Sequence, residues 1–208
     1  MKRVNYLFIM IITAGIALGS CNTAQKPEAD SGKKSEKIDA DKLTVDLNKS
    51  VVAWKGEMLS RYSHTGIINL IEANLTVTGG KIAGGSFTVD MHTITPTDEL
   101  YNPEEGRSKE RLVGHLSSLD FFDVENYPVS TFNIKHVDGS TVTGDFTVRG
   151  ITHEEQVENV SVTREDDSYK ISGELTFDRT KYDVRFQMTL QDMVLSNDIK
   201  LNIELLAS

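Results

Sequence analysis

The chain has a single cysteine, Cys21, so no intramolecular disulfide can form and a folded domain must rest on its core alone. It also lacks a basic excess: 22 Lys and Arg face 31 Asp and Glu, for a formal net charge of -9. That balance argues against a nucleic-acid partner and against electrostatic adhesion to anionic lipid. Catalytic signatures are missing as well. The five histidines, at positions 64, 92, 115, 136 and 153, show no metal-ligand spacing. Gly84-Gly85-Ser86 lies inside a strand-like run rather than at a nucleophile elbow, and there is no phosphate loop or dinucleotide fingerprint. No metal and no cofactor are expected, and the chain reads as a binding protein rather than an enzyme.

What is present begins with an export signal: Lys2 and Arg3, an apolar run from Val4 to Leu18 that is short for a membrane span, then Gly19-Ser20-Cys21. Small residues directly before a cysteine resemble the lipobox of bacterial lipoproteins. The resemblance implies that residues 1–20 are removed, that Cys21 becomes the lipid-modified first residue, and that the protein is held to a membrane of the cell envelope, its domain facing the periplasm or the cell surface. Losing Lys2 and Arg3 takes the formal charge from -9 to -11. Residues 21–41 are rich in Lys, Glu, Asp, Ser and Ala with no apolar period, which predicts a flexible tether. Its typical reach is on the order of 25 Å.

Residues 42–208 suit one domain, and their patterning is that of strands. Runs are expected at 50–58, 63–70, 72–78, 81–94, 129–137, 140–149, 156–164, 169–177, 184–190 and 198–205. Most alternate: Phe87, Val89 and Met91 face one way while Ser86, Thr88 and Asp90 face the other, and Phe146 with Val148 and Ile199 with Leu201, Ile203 and Leu205 repeat the pattern. Gly79-Gly80, Asp138-Gly139 and Asp166-Asp167 supply hairpin chemistry. Consecutive hairpins with one dry face need two stacked sheets or one closed sheet, and closure also removes exposed edges. The expected class is all-β, an extended antiparallel barrel of about eight strands. Residues 108–127 break the pattern. Leu112, Leu116 and Leu119 recur at helical spacing behind a capping Ser108, which predicts a short helical lid running into Phe121-Phe122.

The run His115-Leu116 through Phe121-Phe122-Asp123 to Tyr127-Pro128, then Thr131-Phe132 and Gly144-Asp145-Phe146-Thr147-Val148-Arg149-Gly150-Ile151-Thr152, resembles the YceI-like family of bacterial envelope proteins. Trp54-Lys55-Gly56, His64-Thr65-Gly66, Gly84 to Met91 and Asp178-Arg179-Thr180-Lys181-Tyr182 follow in the family's order. The resemblance implies a lipocalin-like barrel whose elongated apolar cavity takes a polyisoprenoid or fatty-acyl amphiphile. Alternation nominates the lining as Trp54, Phe87, Val89, Met91, Phe121, Phe122, Phe132, Ile134, Phe146, Val148, Phe177, Phe186 and Met188. Arg149 and Arg179, at strand ends, are head-group candidates, with a structural ion pair as the alternative. The rival reading is a filled barrel that serves as an interaction module, displayed to an envelope protein or to a second copy of the chain. A hollow interior favours carriage, and a histidine–carboxylate pair inside it would point toward catalysis.

Overall fold

The computed structural model describes residues 40–59, 61–187 and 194–208. Nine strands form one antiparallel sheet: β1 Asp41–Thr44, β2 Val51–Met58, β3 Tyr62–Thr78, β4 Lys81–Pro96, β5 Val129–Asp138, β6 Thr141–Val148, β7 Ile151–Glu165, β8 Ser168–Asp178 and β9 Leu195–Ala207. Their order is β1-β3-β2-β9-β8-β7-β6-β5-β4, and β4 pairs back to β3. Strands β2 to β9 therefore close into an eight-stranded barrel, the expected class. The four residues of β1 share the edge of β3 used by β2, Asp41 pairing with Val77 beyond the stretch that Val52 to Met58 occupy.

Several elements differ from the sequence expectation, each for a physical reason. The runs at 63–70 and 72–78 are a single strand, β3, whose pairing slips between Ile67 and Asn69 and between Leu70 and Glu72. The second slip resets the in–out phase of β3, so Ile68 and Leu70 point inward before it and Leu75 and Val77 after it. Strand β7 starts at Ile151 rather than Gln156, because His153 and Glu155 hold polar partners and hide the alternation. The expected strand at 184–190 is irregular at 184–187, and its remaining residues, Met188 included, lie outside the described set. Val184 is fully buried there with its carbonyl taken by Arg179, which leaves no free edge for pairing.

The two ends of the barrel are built differently. One end carries β1 and the turns after β3, β5 and β7, and Val45, Leu75, Val77, Tyr169 and Ala207 are buried there as a plug, Val45 bridged to Ala207 and Ala207 paired with Tyr169. At the other end two segments cross the opening: between β4 and β5 a 3-10 turn, Pro103–Glu105, and helix α1, Lys109–Ser117; and after β8 a second 3-10 turn, Arg179–Tyr182, with residues 183–187. The β6–β7 hairpin belongs to this end. Its turn residues Arg149 and Gly150 both have positive φ, 50° and 70°, as the tight turn between Val148 and Ile151 requires.

Candidate ligand cavity

Between the plug and the crossing segments lies a cavity of about 480 Å³. Its wall is made by the inward side chains that alternation dictates. Trp54, Phe87, Val89, Met91, Phe121, Phe122, Phe132, Ile134, Phe146, Val148, Phe177 and Phe186 all line it, and Met188 lies outside the described residues. Large rings sit in these positions because glycines opposite leave room. A Cβ on Gly66 would come within 2.3 Å of the Trp54 ring, and one on Gly144 within 2.6 Å of Phe132. The Trp54 indole N–H donates to the carbonyl of Ile67 at 3.2 Å, so its polar atom is satisfied in the wall. Phe146 meets Phe177 and Tyr182 edge-on at 5.0 and 5.6 Å, fixing that side.

The lid forms largely as its sequence dictates. Ser108 caps α1, its hydroxyl accepting from the Arg111 N–H, and Leu112, His115 and Leu116 face the cavity. Leu119 does not join them. The helix ends at Ser117, the chain turns, and Leu119 is left 68% exposed. The turn is held by the backbone: the N–H groups of Phe121 and Asp123 donate to the Ser118 carbonyl and that of Phe122 to Leu116. Phe121 is thereby buried against Phe122 at 4.9 Å, while the His115 ring meets Phe186 at 4.4 Å.

Arg149 and Arg179 line no part of the cavity. Arg149 Nη1 donates to the carbonyls of Phe121, Asp183 and Leu119 at 2.7, 3.0 and 3.3 Å, so one guanidinium joins the two segments that cross the barrel end. Arg179 is buried under Phe121, its guanidinium carbon 5.9 Å from the ring centroid, and donates to the carbonyls of Ser196 and Val184 and to Asn197 Oδ1. Burial lowers the Arg179 pKa from its ordinary value, partly offset by the charge of Asp178. Neither the head-group role nor the carboxylate pairing considered for them is what the geometry displays; both collect main-chain carbonyls.

Besides the hydroxyls of Ser130, Thr131 and Ser172 in the wall, the polar side chains of the cavity are those of its open rim, where Tyr62 and Arg111 are exposed and His64 and His115 are half-buried. His64 Nδ1 lies 3.2 Å from both oxygens of Asp98. Asp98 also accepts from the N–H groups of Thr65 and Leu100 and from the Tyr101 hydroxyl, at 3.0 Å for the last. Burial works against the Asp98 charge, yet these donors prevail and hold its carboxyl below the usual carboxylate range. The Tyr101 hydroxyl is pushed up, by burial first and then by Asp98. Among the described residues no serine, threonine or cysteine bonds His64 on its other nitrogen. No group of three or more metal-ligating side chains occurs among the described residues.

Residues 43–207 match the model of the YceI-like domain. The chain belongs to the YceI-like family. Among curated relatives, a UPF0312 protein of Staphylococcus aureus strain USA300 is 32% identical over 119 residues, 53% of this chain and 70% of the relative. Among solved structures, Burkholderia cenocepacia BcnA superposes with a TM-score of 0.64 at 21% identity, covering 79% of this chain and all of that one. A polyisoprenoid-binding domain from Saccharophagus degradans gives 0.50 at 11% identity, covering 80% and 97%. These two share the fold.

Within this YceI-like barrel the sequence reasoning missed most of the aliphatic wall, including Ile68, Leu70, Val157, Ile171, Leu175 and Leu205. The alternation that nominated the aromatics would have found those on β8 and β9. It missed the polar rim altogether. His64 and Asp98 stand 34 positions apart, and nothing local to either marks the pair.

Proposed function

We propose that this YceI-like domain holds one long-chain apolar amphiphile, of polyisoprenoid or fatty-acyl type, noncovalently inside its barrel, and that it carries or sequesters that lipid at the bacterial cell envelope from an anchor at Cys21. The observation that supports the reading is the cavity itself: about 480 Å³ walled by aliphatic and aromatic side chains inside a closed sheet. Apolar cavities of roughly 150 Å³ stay dry and accept a benzene ring. A void three times larger, left empty at about 24 cal/mol per Å³, would cost on the order of 10 kcal/mol, as much as the whole stability of a typical domain. A lipid chain in that space restores the missing contacts. The hollow interior favours carriage over an interaction module built on a filled barrel, and the polyisoprenoid-binding domain of the same fold points to the same ligand class.

The test is native mass spectrometry of residues 42–208, which contain the closed eight-stranded sheet and its core. An added mass that organic extraction removes is expected, with a melting temperature that drops on extraction and recovers when lipid returns. A ligand that binds only the folded state contributes about 2.7 kcal/mol at a hundredfold excess over Kd. A domain that emerges empty and is stabilised by no isoprenoid or acyl compound would refute the proposal.

A further inference from the structure

We infer that the lipid carries an anionic head, a carboxylate or a phosphate, and that Arg111 holds it at the cavity rim together with Tyr62, His64 and His115. The inference rests on reading the cavity as a lipid site. Its basis is the distribution of unoccupied hydrogen-bonding atoms. Elsewhere the strong donors are committed, Trp54 in the wall to the Ile67 carbonyl and Arg149 and Arg179 outside it to carbonyls, and the wall's other polar side chains are the neutral hydroxyls of Ser130, bound to the Thr147 carbonyl, Thr131 and Ser172. At the rim donors remain uncommitted. Arg111 commits Nη1 to the Gly106 carbonyl at 2.8 Å and keeps Nε and Nη2 without a partner among the described residues. The Tyr62 hydroxyl and both His115 ring nitrogens likewise have no hydrogen-bond partner there.

That inventory is rich in donors. The Arg111 guanidinium has no acceptor atom at all, while the Tyr62 hydroxyl and the His115 ring each offer a donor. With Nδ1 of His64 directed at Asp98, the Nε2 edge is what this ring has left. The acids nearby are already occupied: Asp98 takes the Thr65, Leu100 and Tyr101 donors, and Glu110 is held by its own N–H and by Ser108 at the start of α1, which keeps its carboxyl below the usual range. Glu99 remains as an exposed acid whose charge is felt at Tyr101. A set of donors around a planar cation suits a head with several acceptor oxygens, which a carboxylate or phosphate has and an alcohol does not.

The experiment compares four ligands on the lipid-stripped domain, oleic acid against oleyl alcohol and farnesyl phosphate against farnesol, reading the acid-to-alcohol affinity ratio within each pair. Wild type is expected to prefer the charged member by about tenfold or more, a charge-assisted bond at a half-exposed rim being of that size. Arg111→Gln should bring the ratio near one, and Arg111→Lys should keep most of it. Preference in only one pair identifies the head as carboxylate or as phosphate. Equal wild-type affinity for acid and alcohol, or a ratio unmoved by Arg111→Gln, overturns the inference while leaving the cavity reading in place. Binding of none of the four removes both.

Discussion

Replacing Arg149 with Ala should loosen the lid without touching the cavity wall. The side chain reaches three carbonyls from Nη1, which has only two hydrogens, so the contacts at 2.7 and 3.0 Å to Phe121 and Asp183 are the effective bonds and the 3.3 Å contact to Leu119 is shared. A buried charge-assisted bond contributes about 1.5–3 kcal/mol, but this arginine is half-exposed and water can replace part of it, so about 1 kcal/mol per bond is reasonable. The loss is then about 2 kcal/mol, or roughly 4–8 °C in melting temperature for a domain of this size. Alanine keeps the left-handed φ of 50° at this turn position, so the change isolates the guanidinium. Arg149→Gly should recover about 1 kcal/mol, since glycine adopts that conformation without strain. The measurements are thermal melting of the stripped domain and hydrogen exchange at Phe121 to Val124, whose N–H groups hold the turn. A shift below about 1 °C with unchanged exchange would show that Arg149 does not fasten the lid.

Three further outcomes follow from other parts of the molecule. Gly66→Ala places a Cβ 2.3 Å from both the Thr95 carbonyl and the Trp54 ring, so it should destabilise by about 3 kcal/mol and shift the emission of this only tryptophan; an unchanged melt and spectrum would contradict the packing. Asp98 has a carboxyl pKa depressed by folding, so its contribution is present above its ordinary value near 4 and lost as pH falls through the lower folded value; wild type should exceed Asp98→Asn in stability above about pH 5 and converge with it below pH 4, and a gap that widens in acid would refute this. Cys21→Ala should release the full chain from membranes, since neither the tether nor the net charge adheres to anionic lipid; sedimentation with membranes after a high-salt wash would show that the anchor lies elsewhere.

The parts of this barrel that were legible in the sequence are those where one local rule decides. Period-two alternation set the strands and the inward faces, two-residue turns set the hairpins, and Ser108 set the start of α1. Legibility failed where a long-range partner rewrites the local pattern. The four residues of β1 carry no strand signal of their own and are extended because Asn74 to Val77 offer them an edge. His153 and Glu155 break the alternation of β7 because the Lys181 carbonyl and the Tyr182 hydroxyl come to meet them.

The site divides along the same line, and the division explains why the arginines misled. An inward apolar residue has one use, so Phe146 or Val148 could be assigned to the wall from phase alone. A guanidinium has several, because an arginine next to a turn serves equally as an anion receptor or as a collector of carbonyls, and which it becomes depends on whether a crossing segment leaves carbonyls unpaired above it. Here the turn after α1 and the segment after Tyr182 do so, and they claim Arg149 and Arg179. Arg111 lies one helical turn into the lid with one carbonyl in reach and open rim beyond it, so its charge stays available. The cavity has a still less local origin. It is the volume left after every inward side chain has taken its rotamer, and glycines such as Gly66 and Gly144 decide it as much as the rings they admit, so it becomes visible only when the sheet has closed.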